Sequence, residues 1–314
     1  MMKDEIVDKV LEKCRDYFGT SEQGIKKVKE FNNGKSGNVV CLIDVLDSYE
    51  TEKNGHYVLK ICFEDTNEFF DEIINTVELG NKEKNACGIY FPKYEISGKI
   101  DNTLYYIYDV AGSELNDTIQ LSGTMTTGGS VLEKISREIL IGWNEKFRNA
   151  QVSIAECIRE MVGSKRLEIG GRISERISQL IGDVLAPTYY FENELLPNPY
   201  YFLSNTNGPL ERNINAIIGN THGDLNCNNI IVNKNYLNNN FEIYFIDFSH
   251  YKRNGFLFFD NAYLQFNLLL TGQSAANVFD WYAEITNIVF NSNEKKNHLI
   301  EYIVDEVVAF INKP

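Results

Sequence analysis

The sequence predicts a bilobal α+β fold, a small antiparallel-sheet lobe followed by a larger, mostly helical one. Three observations lead there. Residues 24–63 run as short apolar or alternating segments, IKKVKEF, NVVCLIDV and HYVLKICF, parted by the polar turns NNGKSG and DSYETEKNG. That is the pattern of an antiparallel sheet of at least three strands. Residues 66–79 change to a helical period, with Phe69, Phe70, Ile73, Ile74 and Val77 on one stripe. From about 130 to 193 the period is helical again, as in VLEKISREILIGWNEKF and RISERISQLIGDVL, so sheet and helices are segregated along the chain rather than alternating.

The remaining elements follow in order. A first helix spans 5–18, where Ile6, Val7, Val10, Leu11, Cys14, Tyr17 and Phe18 recur at helical spacing and Gly19 ends the run. Two more strands are expected at 91–97 and 103–110, and Ala111, Gly112 and Ser113 read as a connector. Strands return at 229–232 and 241–248, with the Asn-rich stretch 233–240 as the turn between them. The chain closes on a helical stripe of Leu299, Ile300, Ile303, Val304, Val307, Val308 and Ile311. The expected organisation is an N-terminal helix at 1–19, an N-lobe at 20–112 and a C-lobe at 113–314.

Composition narrows the function classes. A formal net charge of -14 argues against a nucleic-acid partner and against an anionic membrane surface, and is compatible with a cationic ligand. No run is long enough to span a bilayer and no secretory h-region opens the chain, so a cytoplasmic location is expected. The six cysteines, at 14, 41, 62, 87, 157 and 227, form no CxxC motif and read as free thiols. The four histidines show no HExxH spacing and there is no GxSxG elbow.

The sharpest motif is Thr221-His222-Gly223-Asp224-Leu225-Asn226-Cys227-Asn228-Asn229, running into the apolar strand Ile230-Ile231-Val232. A second apolar strand ends in Ile246-Asp247-Phe248-Ser249. A hairpin between the two strands would set Asn229 and Asp247 at one point. An amide oxygen and a carboxylate are hard ligands of the kind Mg²⁺ takes alongside waters and phosphate oxygens. Asp224, a short step before Asn229, would then lie near the metal, free to orient and deprotonate an attacking hydroxyl.

These two loops resemble those of the aminoglycoside phosphotransferase and choline kinase branch of the protein-kinase-like fold. There the catalytic loop reads H-G-D-x-x-x-x-N and the metal loop I-D-F or I-D-W. The pattern is also similar to kinase-like domains of bacterial conflict systems. The resemblance implies Asp224 as catalytic base, His222 as support for the loop, and Asn229 and Asp247 as metal ligands. It implies ATP, with GTP an open alternative, and Mg²⁺ as cofactors. Asp260 resembles the family's aspartate that braces the catalytic loop from a following helix. Ser249 stands where protein kinases carry glycine, a departure that weakens a protein-kinase reading more than a small-molecule one.

The N-terminal half must then hold the nucleotide. Gly34, Ser36 and Gly37 in the NNGKSG turn resemble a kinase glycine loop between two strands, where backbone amides approach phosphates. The Gly34-Lys35-Ser36 string is not a Walker A ending, because Lys29 stands where that motif needs its first glycine and a strand follows. Lys60, alone within the apolar strand Tyr57-Val58-Leu59-Lys60-Ile61, suits the phosphate-holding lysine. Its acidic partner is Glu72 or Glu78. Glu72 lies beside Phe69 and Ile73 and is preferred, while Glu78 has the separation more common in protein kinases. Asp109 and Val110 fall where the backbone would pair with adenine.

The expected function is ATP-dependent transfer of a phosphoryl group to a small-molecule hydroxyl, with a cationic acceptor and a protein partner both left open. A nucleotide-binding regulatory module and a protein kinase are the alternatives. The short stretch between Asp247 and Asp260 holds no evident APE-type activation segment, which stands against the protein kinase.

Overall fold

The computed structural model describes residues 3–31, 38–63, 67–80, 88–111, 118–123, 129–144, 146–162, 167–191, 194–204, 209–233 and 241–271. Gly34, Ser36, Gly37, the connector residues Gly112 and Ser113, Cys87 and the stripe at 299–311 lie outside them. The described residues form two compact units. One comprises those up to Glu145, Asp224–Tyr251 and those from Asp260 onward; the other comprises Lys146–Gly223 and Lys252–Phe259.

In the first unit, helix α1 (Lys3–Phe18) is followed by strands β1 (Ile25–Glu30), β2 (Val39–Val45) and β3 (Gly55–Cys62), helix α2 (Asn67–Gly80), and strands β4 (Ile89–Tyr90), β5 (Tyr94–Ile100) and β6 (Thr103–Asp109). Five of the strands make an antiparallel sheet in the order β1-β2-β3-β6-β5. Alternate residues Cys41, Ile43, Val45, Tyr57, Leu59 and Ile61 face α1, whose Val7, Val10, Leu11, Cys14 and Phe18 complete a closed core. An antiparallel five-stranded sheet with one helix between its third strand and the next is an α+β arrangement.

The same unit holds a second sheet. Strands β7 (Thr118–Gln120), β12 (Ile230–Asn233) and β13 (Ile243–Phe245) join β4 in the order β4-β13-β12-β7. Helix α3 (Gly129–Arg137), continued by a π-helical turn over Glu138–Gly142, lays Val131, Ile135 and Ile139 on Ile230, Val232, Ile243 and Phe245. This core carries both motif loops at its rim.

Within the stretch expected as helical, about 130–193, the second unit has helices but also a strand before them and another after them. It contains α4 (Ile154–Val162) and α5 (Arg172–Ile181), but also β8 (Arg148–Ser153), the β9–β10 hairpin (Thr188–Phe191 and Glu194–Pro197), α6 (Pro199–Ser204), β11 (Asn213–Thr221) and β14 (Lys252–Phe256). Strands β8, β11 and β14 form a sheet of their own. Its ladder, from Asn213↔Ser153 to Ile218↔Arg148, joins segments far apart in sequence, so no local periodicity announces it. Helix α7 (Phe259–Thr271) ends the described chain.

Helix α2 differs from expectation in which face it buries. Phe69, Glu72, Thr76 and Leu79 are buried, while Phe70 and Ile74 are 41% and 62% exposed. The apolar stripe is thus split, because the helix turns toward the sheet the side that carries the acid. Among the described residues no helix is long and apolar enough to cross a membrane, and the five described cysteines are buried free thiols.

Candidate active site

The β12–β13 hairpin is the frame. Its register pairs Ile230 with Phe245, Ile231 with Tyr244 and Val232 with Ile243. Ile230, Val232, Ile243 and Phe245 are wholly buried, so a slip by one residue would turn them out of the core. At the open end the Ile246 N–H donates to the Asn229 carbonyl at 3.1 Å. The chain therefore enters one strand at Asn229 opposite the point where it leaves the other into Asp247.

The loop ahead of Asn229 is tied to itself. Asn229 Nδ2 donates to the Asp224 carbonyl at 2.8 Å and to Asp224 Oδ2 at 3.3 Å. Asn226 Nδ2 reaches the same two atoms at 3.2 and 3.3 Å. The Asn226 and Asn229 amides close turns onto Asp224 and Asn226 at 2.8 and 3.0 Å. Both Asp224 atoms are acceptors, so the Asn229 amide must offer them its nitrogen, which points Oδ1 the other way. Leu225 and Cys227 sink into the core. The Cys227 N–H is held by Asn267 Oδ1 at 3.0 Å, a bond to the loop from the helix whose first turn carries the fully buried Asp260.

Asp247 has φ 66, a left-handed conformation that aspartate tolerates better than most residues and that gathers at functional sites. Its Oδ1 accepts a hydrogen bond from Ser249 Oγ at 3.0 Å. The Phe248 ring is buried, 5.6 Å from Phe91 between ring centroids. Ser249 thus serves its neighbour in a way glycine could not.

Lys60 lies on β3 opposite Tyr106 of β6. Its Nζ is 2.7 and 2.6 Å from Glu72 Oε1 and Oε2 and 3.7 Å from Asp247 Oδ1. The Tyr106 hydroxyl donates to Glu72 Oε1. Burial opposes charge on the lysine, but Glu72 and Asp247 outweigh it and hold the Lys60 pKa above its ordinary value. Burial also pushes the Glu72 carboxyl up, against the Lys60 ammonium and the bonds from Lys60 and Tyr106. Two short contacts from the carboxylate favour the charged lysine, so Lys60 stays a cation through the neutral range. Burial raises the Tyr106 phenol well above its usual value, so it remains a donor.

The partner of Lys60 is therefore Glu72. Glu78 lies further along α2, and at 3.6 residues per turn that spacing swings it to another side of the helix. Asp109 ends β6, where its N–H donates to the Lys93 carbonyl at 2.9 Å and its side chain accepts from the Lys93 N–H. Val110 follows, buried. Neither is in the Lys60 cluster, since the register puts Asp109 opposite Tyr57. His222 is fully buried at the end of β11, within the second unit, and Gly223 with φ 81 leads the chain out of that strand. Three contributors escaped the sequence reading: Tyr106, Asn75 and the bracing role of Ser249. Asn75 alone left a signal, being one helical turn beyond Glu72.

The donor set suits magnesium. Among the described residues no three His, Cys, Asp or Glu side chains gather into a cage. One amide oxygen and one carboxylate is the sparse set that Mg²⁺ supplements with water and phosphate oxygens. No protein-family model matches the chain, and no curated protein matches it. Among solved structures it is similar to two double mutants of the Mycobacterium tuberculosis PknI kinase domain. One has 12% identity and a TM-score of 0.37, covering 81% of this chain and 74% of that one. The other has 11% identity and a TM-score of 0.41, covering 94% of this chain and 99% of that one.

Proposed function

We propose that the chain is an ATP-dependent phosphotransferase that moves the γ-phosphate to a hydroxyl of a small molecule, in the manner of aminoglycoside phosphotransferases and choline kinases. One observation carries the reading: a continuous set of contacts runs from Glu72 through Lys60 to Asp247, and the hairpin joins Asp247 to Asn229 and Asp224. Lys60, a buried cation, would hold nucleotide phosphates as a point charge. Asn229 and Asp247 would hold Mg²⁺, which when bound neutralises phosphate charge. Asp224 would orient the acceptor hydroxyl and take its proton as the new oxygen–phosphorus bond forms and the bond from the γ-phosphorus to the β-phosphate oxygen breaks, releasing ADP. The serine at 249 favours a small-molecule acceptor over a protein, and the overall acidity is compatible with a cationic one.

A heat-shift panel of ATP, GTP and ADP with and without Mg²⁺ tests the binding half, since a ligand that binds only the native state raises its stability. An ATP-consumption panel against amines, sugars and proteins tests the rest. A Mg²⁺-dependent rise of the melting temperature with ATP or GTP is expected. Its absence sinks the reading; binding without consumption of any kind would make the chain a regulatory module instead. Asp247→Ala should lower Mg²⁺–nucleotide affinity by about tenfold or more and leave metal-free binding nearly alone. Unchanged affinity in Mg²⁺ would remove Asp247 from the ligand set.

A further inference from the structure

We infer that Asn75 is a positioning residue for the metal loop, one that sets the Mg²⁺ affinity of the site without touching the metal or the nucleotide. The inference rests on the proposed phosphotransferase reading and adds a residue that none of the recognised motifs contains. Asn75 Nδ2 donates to the Phe248 carbonyl at 2.8 Å. That carbonyl also accepts the Tyr251 N–H at 3.1 Å, so both of its lone pairs are used.

The location gives the bond its consequence. Phe248 directly follows Asp247, whose left-handed backbone would relax if the next residue were free to turn. The buried Phe248 ring and the doubly bonded carbonyl together stop that rotation. Asn75 belongs to the inward side of α2, one turn after Glu72, and the Thr76 hydroxyl bonds back to the Glu72 carbonyl at 2.7 Å on the same side. One rigid helix thus grips the phosphate lysine with Glu72 and the metal loop with Asn75. Groups that orient a metal ligand commonly govern affinity by 10–100-fold, about as strongly as many direct contacts.

The test uses the full chain with ATP as probe, titrating Mg²⁺ and reading bound nucleotide by calorimetry and by thermal shift. Asn75→Leu removes the donor. Asn75→Asp keeps the volume and also removes it, and carries the test if the leucine variant does not fold. Both should raise the Mg²⁺ concentration at half-saturation roughly tenfold or more, with metal-free ATP affinity changed less than about threefold. A purely structural asparagine would lower the melting temperature and leave the Mg²⁺ midpoint where it was, and that result overturns the inference alone. If the unaltered chain shows no Mg²⁺-dependent ATP binding, the phosphotransferase reading falls, and this inference with it.

Discussion

Asp224→Asn is expected to cut phosphoryl transfer by about two to four orders of magnitude while Mg²⁺–ATP affinity stays within a few fold. The substitution is close to isosteric. Asparagine still offers a side-chain oxygen to the Asn226 and Asn229 amides that now converge on Asp224, and its main-chain carbonyl is untouched. The loop should therefore keep its shape. On the proposed phosphotransferase reading, what is lost is the charge that would accept a proton, and only the chemical step depends on it. The measurement is single-turnover transfer to the acceptor found in the consumption panel, or slow transfer to water in its absence, beside a nucleotide titration. Equal turnover in the variant would take Asp224 out of the mechanism. A large fall in nucleotide affinity would show that its role is binding.

Glu72→Ala should destabilise the fold by about 3–5 kcal/mol, because it strands a buried lysine. The Lys60 side chain is 13% exposed and that of Glu72 4%, so water cannot make good the loss. Asp247, at 3.7 Å, offers Lys60 only a longer contact, and the Tyr106 hydroxyl loses its acceptor as well. Denaturant unfolding should show the midpoint falling with the slope unchanged. The double variant Lys60→Met with Glu72→Leu separates stability from function. Replacing a buried pair with apolar groups of similar size is often neutral or stabilising, so most of the loss should return while nucleotide binding does not. A Glu72→Ala midpoint equal to that of the parent would mean that the pair is already solvated and the predicted cost absent.

Both experiments turn on residues that the amino-acid sequence marks to different degrees. Asp224, Asn229 and Asp247 stand out because they sit at the ends of two apolar strands joined by a short Asn-rich turn. A hairpin is local, so its register follows from which residues must be buried. Lys60 was legible as the lone charge in an apolar strand. The choice between Glu72 and Glu78 was open, because the orientation of α2 is decided by what it packs against and not by its own period. Its best apolar stripe includes Phe70 and Ile74, yet these are exposed while Glu72 and Thr76 are buried.

The amino-acid order alone thus determined the hairpin with its two loops, the first sheet and the helix that follows it, all short-range features written in periodicity and turn chemistry. Only the tertiary structure decided the β8-β11-β14 sheet, the facing of α2, the Tyr106 bond to Glu72 and the Asn75 bond to Phe248. Each of these joins segments distant along the chain or depends on which side of a helix meets a neighbour. Such contacts are selected by the burial energy of the whole core, a sum that no local window contains.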